Sequence, residues 1–434
     1  MITQALYTIV FISFIAATQC FAQGESGVPF LLISPGAKAN GMGEASVALF
    51  SNDPLALMTN PAQIGFQSHA NYFSFGYNRS KWLPQFQLPH LAYSAFAVNA
   101  GVNLRKELGI APELSIGIAY SRIYLNLGEY VQTASGSPTP ISTYNAYEQS
   151  DQYSAGIGID YWVKVSAGIT FKQIFSSLAP FYIQNIGGKG EAGLDAYDYG
   201  LMLGVPVIDI ISRMREEPIL ILPHASPFFD FNIGIAKNNL GSKKVIYGAS
   251  SNADPLPRYA RIGIGFNIGI DYDNEGLNWQ PVSFKWTIEA NDLLVRTPGP
   301  PNSSPIPETW GYQDGFGDIK FFDELIAGHT NTETIKKKGW EIGILEFLYI
   351  RGGRFEEDYN RGNRRFNTSG FGFQFSGFVK FLRAMDFSIP DNNVFGFILR
   401  HVDLRYDHSE YTTDEKNHPL SGTSFNSLNV LISN

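Results

Sequence analysis

The stretch Tyr153-Ser154-Ala155-Gly156-Ile157-Gly158-Ile159-Asp160-Tyr161-Trp162 decides the fold when it is read in steps of two. Tyr153, Ala155, Ile157, Ile159 and Tyr161 fall on one face, and Ser154, Gly156, Gly158 and Asp160 on the other. Side chains of an extended chain alternate between two faces, so strict alternation signals a strand. The next run repeats the pattern, with Val163, Val165, Ala167, Ile169 and Phe171 against Lys164, Ser166, Gly168, Thr170 and Lys172. A soluble sandwich would turn the apolar face towards a core. Here the other face is rich in Gly and small polar residues and the segments are long, which is the pattern of a transmembrane β-barrel with lipid outside and water or a plug inside.

Composition agrees with that reading. Charged residues make up 17% of the 434-residue chain, against roughly 25% in soluble proteins, and aromatics reach 14%, with 33 Phe and 22 Tyr. Beyond the amino-terminal stretch no apolar run reaches the roughly 18 residues of a membrane helix, so a membrane crossing has to use strands. The net charge of -8 gives no basic footprint for nucleic acid.

Met1 to Gln23 read as a secretory signal, apolar from Ala5 to Ala17 and ending in Cys20-Phe21-Ala22, with cleavage expected after Ala22. Gln19 stands where a lipoprotein signal needs a small residue, which disfavours lipidation at Cys20. With the signal removed no cysteine is left. The expected organisation is a signal peptide over 1–22, a plug segment over 23–69 and an outer-membrane barrel over 70–434. Within the plug, Asp53 caps a short helix that Pro54 opens and Asn60-Pro61 ends.

About fourteen strands are predicted, near 71–79, 90–99, 113–130, 149–162, 163–177, 192–206, 229–239, 258–273, 282–294, 339–354, 364–377, 379–389, 394–407 and 424–433. The segments 339–354 and 394–407 change phase midway. In 260–272, Ala260, Ile262, Ile264, Phe266, Ile268, Ile270 and Tyr272 are expected outward and Arg261, Gly263, Gly265, Asn267, Gly269 and Asp271 inward. Ile157, Ile159, Val165, Ile264, Phe266 and Trp286 are expected to face lipid. Loops 131–148, 178–191 and 295–338 are long and expected outside, and 162–163, 274–281 and 355–363 short and periplasmic. The exception is 207–228, where Val207 to Met214 read as a short interfacial amphipathic helix.

Chemistry-bearing motifs are weak. Gly263-Ile264-Gly265 and Gly370-Phe371-Gly372 sit inside strands, not in the strand–loop–helix setting of a dinucleotide site. Asp271 to Gly276 opens like a calcium loop, but Val282 occupies the position of the bidentate Glu. The seven histidines show no zinc spacing, and no Gly-x-Ser-x-Gly marks a nucleophile. The expectation is therefore no cofactor, no metal and no enzyme. Arg351 to Arg365, with Glu356, Glu357 and Asp358 among the arginines, reads as a solvated mixed-charge hairpin or, alternatively, as a site for an anionic partner.

Several strings carry a family resemblance. Ser34-Pro35-Gly36-Ala37-Lys38-Ala39-Asn40-Gly41-Met42-Gly43-Glu44-Ala45, followed by Asn52-Asp53-Pro54 and Asn60-Pro61-Ala62, resembles the amino-terminal motif of the PorV/PorQ family, FadL-like outer-membrane barrels of the type IX secretion system. Leu256 to Gly263, Asn291 to Val295 and Arg351-Gly352-Gly353-Arg354-Phe355 leading to Arg361 to Phe366 resemble PorV more than PorQ. The chain departs from the family in lacking a terminal aromatic after Leu428 to Asn434 and in a longer stretch from Asn302 to Lys338.

The resemblance implies a non-enzymatic outer-membrane protein. It would bind the carboxy-terminal signal domains of secreted cargo and pass them, with other secretion components, to a surface attachment complex, surrounded by lipid and lipopolysaccharide. The alternative is FadL-like passive transport of hydrophobic solutes. Gly41, Met42, Gly43, Asn60, Pro61 and Ala62 are the family positions. Trp310, Tyr312, Asp314, Phe316 and Asp318, with Phe321, Asp323 and Glu324, form the candidate partner-binding loop, since aromatics are favoured at interfaces and long loops carry recognition.

Overall fold

The computed structural model describes residues 26–433 apart from 69–70, 89, 106–108, 110–111, 134–135, 137, 184–186, 243, 250–252, 275–276, 297–309, 359–360, 386–393 and 416. The signal-peptide expectation lies outside these residues. The barrel strands are β1 (Tyr72–Lys81), β2 (Ala92–Asn103), β3 (Glu113–Thr133), β4 (Pro140–Asp160), β5 (Lys164–Ile183), β6 (Gly188–Pro206) and β7 (Ala225–Gly241). They continue, after the short pair β8 (Lys244–Ile246) and β9 (Ala253–Pro255), with β10 (Tyr259–Asn274) and β11 (Leu277–Leu293). A second short pair, β12 (Val295–Arg296) and β13 (Gly311–Tyr312), precedes β14 (Ile335–Ile344), β15 (Leu348–Glu356), β16 (Arg365–Gln374), β17 (Val402–Thr413) and β18 (Ser424–Ser433). Each barrel strand pairs antiparallel with its neighbour, and β1 closes on β18 from Tyr72↔Ser433 to Lys81↔Ser424, giving a closed 14-stranded barrel.

Closure leaves no strand edge exposed, the only way a sheet can satisfy its backbone groups in hydrocarbon. The burial pattern is that of a globular protein turned inside out. Along β1, Ser74, Asn78 and Ser80 are buried, while Phe73, Phe75 and Tyr77 are exposed. Ile157, Ile159 and Val165 are likewise exposed on the outer wall. The chain is an outer-membrane β-barrel whose apolar parity faces lipid.

Both ends of the barrel chain meet at one rim, and 294–334 rises from the other. Long loops in this class are extracellular, so the rim of the chain ends is periplasmic. The connection 357–364 between β15 and β16 lies on the extracellular rim, opposite to its expected side, because the strand list slipped upstream of it. The predicted strand 339–354 is two strands joined by a tight turn in which Leu345 and Glu346 have positive φ, 57° and 52°. The predicted strand 379–389 is instead mostly helix Phe375–Ala384, and 394–407 begins as helix Val394–His401 before it enters β17. One merged pair and one false strand cancel, so the count of fourteen stands while its assignment changes. Helix Val207–Arg215 lies at the periplasmic rim with Ile211 and Met214 exposed.

Ile264 differs from expectation as well. It points out of the wall, but with Ile288 and Ala290 it is covered by Leu325, and Ile319 and Phe321 pack at the edge. The turn of π-helix Phe322–Ile326 in the β13–β14 connection thus folds back over the outer wall. Trp286 sits half-buried in the same cluster, whereas Phe266 stacks on Trp286 at 5.5 Å.

Replacing Ile157 by Arg puts a charge on the open lipid-facing wall. Equilibrium unfolding in vesicles is expected to show a loss of about 2–4 kcal/mol.

Candidate functional site

The amino-terminal segment fills the lumen. From Gly27, whose N–H donates to Pro255 O (2.9 Å) at the extracellular rim, it descends through helix Ala37–Gly41, the 3-10 turn Pro54–Met58 and helix Gln63–Gln67 to the start of β1. The Asp53 carboxylate accepts from Leu55 N–H at 2.9 Å, and Pro54 occupies the first turn.

This segment approaches the wall too closely for side chains to intervene. A Cβ on Gly339 would come 2.7 Å from Met42 Cβ, one on Gly234 would come 2.7 Å from Ala48 Cα, and one on Gly168 would come 2.8 Å from Ala62 N. Gly43 has φ +65° and lies against Gly353 and the Lys338 carbonyl, so it needs both glycine's conformational freedom and its missing side chain. The plug backbone then bonds to lumen side chains. Gly43 N–H donates to Thr368 Oγ1 (2.8 Å), and that hydroxyl donates to Gly41 O (3.0 Å). Glu289 Oε2 accepts from Ser46 and Val47 N–H (2.8 and 2.9 Å). Ser115 Oγ donates to Gly65 O (2.6 Å), and Ser166 Oγ donates to Ala62 O. Asn60 Nδ2 donates to Val47 O (2.9 Å), and its Oδ1 accepts from Ala62 N–H (3.1 Å) across Pro61. Gly41, Met42 and Gly43 thus meet β14–β16, while Asn60, Pro61 and Ala62 meet β5 and β6.

Three layers stack along the lumen. On the extracellular side Phe355, Phe366, Tyr411 and Phe425 form a ring ladder with centroids 4.6, 4.4 and 5.3 Å apart, and Val28, Phe30 and Leu31 join the same apolar cluster. Below it lies a buried ionic group. Arg351 Nε binds Glu341 Oε2 (2.6 Å) and its Nη1 binds Asp407 Oδ1 (2.8 Å), while Arg405 Nε binds Asp407 Oδ2 (3.0 Å) and Lys285 binds Glu341 Oε1 (3.1 Å). Glu44 of the plug accepts from Lys337 (3.1 Å) and Tyr411 OH (2.7 Å). At the periplasmic end a cavity of about 260 Å³ is lined by Lys38, Phe50, Lys164, Asp230, Lys285 and Arg405 among others.

Arg351 is therefore a buried bridge, not part of a solvated hairpin. Its mixed-charge neighbours pair too, Arg354 with Asp414 (2.5 Å) and Arg364 with Glu357 (2.7 Å).

The candidate partner-binding loop divides into pinned and open residues. Tyr312 OH accepts from Leu256 N–H (2.8 Å) and donates to Leu256 O (3.1 Å), under the Arg258 guanidinium 3.7 Å from its ring. Trp310 packs edge-on against Tyr312 at 5.5 Å, and Phe316 lies 5.4 Å from Lys237 Nζ. Asp318 binds Arg296 Nη2 (2.7 Å), accepts from Gln313 (2.9 Å), and donates its N–H to Asp292 (2.7 Å). Arg296 and Gln313 hold the Asp318 carboxyl below its ordinary range. Glu324 is buried, accepting from Lys320 N–H (2.7 Å) and Asn331 Nδ2 (3.2 Å). Asp314 and Asp323 are exposed, as are Phe322 (75%) and Ile326 (60%) on the flap. Sequence reading did not find Phe322 and Ile326 as the open apolar pair, because only the fold-back of the loop turns their neighbours inward.

Among the described residues no group of three or more His, Cys, Asp or Glu side chains is placed to hold a metal ion. No protein-family model and no curated protein matches the chain. It is similar in fold to solved structures of toluene transporters and of a FadL homologue. These include the Pseudomonas putida toluene transporter TodX, at 12% identity and TM-score 0.38, with 92% of this chain and 98% of that one covered. A Pseudomonas aeruginosa FadL homologue is at 10% and 0.39 over the same shares, and the Ralstonia pickettii toluene transporter TbuX is at 12% and 0.35 over 93% and 98%.

Two substitutions test the lumen packing. Gly339→Ala is expected to cost about 1–3 kcal/mol and to raise single-channel conductance, since the plug must shift. Gly193→Ala, whose Cβ would meet nothing nearer than Phe175 at 4.0 Å, is expected to leave both unchanged. Arg351→Ala removes the bridge between Glu341 and Asp407 but leaves them Lys285 and Arg405, and unfolding is expected to show a loss of about 1–3 kcal/mol.

Proposed function

We propose that this is a plugged, non-conducting outer-membrane barrel that acts by binding at its extracellular face rather than by catalysis. The ligand follows the PorV/PorQ resemblance: the carboxy-terminal signal domain of a secreted protein, held for transfer to a surface attachment complex. The observation that carries the reading is the lumen itself. Residues 26–68 are seated on wall glycines and hydrogen-bonded to lumen side chains, and a cavity of about 260 Å³ at the periplasmic end is lined mainly by polar side chains. What the barrel offers outward is a platform. Arg296, Arg258 and Leu256 pin the loop, and Asp314, Phe322 and Ile326 stay free to meet a partner. Exposed aromatic and aliphatic residues on a rigid base are where binding energy concentrates.

A second reading, passive passage of hydrophobic solutes, has one observation in its favour. The extracellular half of the lumen is an apolar layer of Phe355, Phe366, Tyr411 and Phe425, filled in part by Val28, Phe30 and Leu31 of the plug. A solute such as toluene, which the similar TodX is described as transporting, would have to displace those plug residues.

The paired substitution Phe322→Ser with Ile326→Ser leaves the pinning contacts intact. Retention of a carboxy-terminal signal domain by cells displaying the barrel is expected to fall about tenfold or more, the loss of a hot spot. Labelled toluene uptake is expected to be no faster than in cells lacking the barrel. Full retention with a correctly inserted barrel, together with uptake that Phe30→Ala accelerates, would replace the first reading by the second.

A further inference from the structure

The cavity at the periplasmic end gathers polar groups that the fold leaves without partners. Lys38, from helix Ala37–Gly41 of the plug, lines it and is 7% exposed, and its ammonium donates to Ser51 Oγ at 3.1 Å. Among the described residues no carboxylate lies within ion-pair distance of that ammonium. Glu341 and Asp53 attract it from farther off, but Glu341 holds Arg351 and Lys285, and Asp53 accepts from Leu55 N–H. Arg405 lines the same space, and its Nη2 has no hydrogen-bond partner, standing 3.7 Å from Glu341 Oε2. Asn429, 5% exposed, has neither amide atom bonded, and Asn232, 3% exposed, leaves its Oδ1 unpartnered, as does Asn267. The acids that border the cavity are engaged: Glu346 binds Lys380 (2.8 Å), Asp403 accepts from Ser376 N–H (3.0 Å), and Asp230 faces Lys164 and Asn267. A buried ammonium or amide without a partner costs free energy, and here such groups converge on one space.

We propose that this cavity binds one small organic acid of the periplasm, with its carboxylate at Lys38 and Arg405 and a hydroxyl or amine beside it at the amide oxygens of Asn232 and Asn267. Each part of that chemistry answers an observation. The donors in want of a partner are cationic, so they call for an anion, and hydrogen bonds to charged groups are the stronger ones. The acceptors in want of a partner are neutral amide oxygens, which call for an O–H or N–H. A volume of about 260 Å³ lies just under the roughly 300–1,000 Å³ of ligand sites, which suits a molecule of a few carbons. Glu346, in the turn between β14 and β15, and Gln374, at the end of β16, mark the periplasmic rim, so the ligand enters from that side. Lys38 belongs to the plug, whereas Arg405 and Asn429 belong to β17 and β18. A bound acid therefore ties plug to wall and stabilises the plugged barrel by linkage.

The test is isothermal titration calorimetry of the full-length barrel in detergent with L-malate, L-serine and uncharged erythritol. Lys38→Met removes the unpaired ammonium, Asn429→Leu removes an unpartnered amide and leaves every charge in place, and Lys189→Met changes a lysine on the extracellular side. Heat-modifiable gel mobility verifies that each variant is folded, and Asn429→Leu decides the matter alone if Lys38→Met does not fold. The expected result is one equivalent of malate or serine bound by the wild type and by Lys189→Met, no binding of erythritol, and affinity lowered about tenfold or more in Lys38→Met and Asn429→Leu. Binding of malate alone identifies a hydroxy acid, and binding of serine alone an amino acid. Binding of neither acid, binding of erythritol as tight as that of the acids, or wild-type affinity in a folded Lys38→Met or Asn429→Leu would each overturn the proposal.

Discussion

The structure depends on how close two backbones can come. The plug runs against the inner wall at separations that a single methyl group would forbid, at Gly168, Gly234, Gly339 and Gly353. A barrel holding water would tolerate alanine at these places, whereas a barrel holding a chain cannot. Close approach also makes the hydrogen bonding possible. A segment buried in a lumen must find partners for its peptide groups, each of which costs free energy if left bare. The wall supplies them from short side chains, Ser115, Ser166 and Thr368, and from the Glu289 carboxylate. Glycine and serine thus do complementary work on the same parity: one lets the plug in and the other binds it.

Charge in the lumen follows from that seal. Arg351 and Arg405 alternate with Glu341 and Asp407 across β14, β15 and β17, so three strands of one wall are bound through buried ions. Such a group adds little net stability over an apolar filling, yet it penalises any rearrangement that separates its members. Above it the aromatic ladder and below it the polar cavity meet the plug on different terms. A plug of this kind is held by three chemistries in series, and loosening one layer leaves the other two.

The wall was legible in the sequence because alternation is a local signal. The strands from 149–162 to 282–294 could be read from parity alone, and the lumen-parity glycines were visible although their reason was not. What failed was local in another way. Leu345-Glu346-Phe347 turns sharply without Gly or Pro, so two strands read as one. Phe375 to Ala384 carries apolar residues at spacings that fit either period, and short apolar runs do not separate helix from strand. The burial of Ile264 and the partners of Arg351 depend on residues distant in the chain, Leu325 in one case and Asp407 in the other. No spacing rule reaches them.

The strings that carry the family resemblance meet in space, and their meeting has a physical consequence. Leu256 and Arg258 grip Tyr312, Asp292 accepts from Arg296 and from Asp318 N–H, and Asn239 Nδ2 donates to Pro257 O at 2.9 Å. They form one clamp at the extracellular mouth, and the residues it holds are no longer available to a partner. Tyr312 and Asp318, chosen from sequence as recognition residues, spend their polar groups inside the molecule. The price of that rigidity is paid before any ligand arrives, and a loop ordered in advance loses less entropy on binding. Recognition therefore shifts to what the clamp presents: the open edge around Asp314 and the two exposed apolar side chains, Phe322 and Ile326, of a flap fastened to the wall through Leu325.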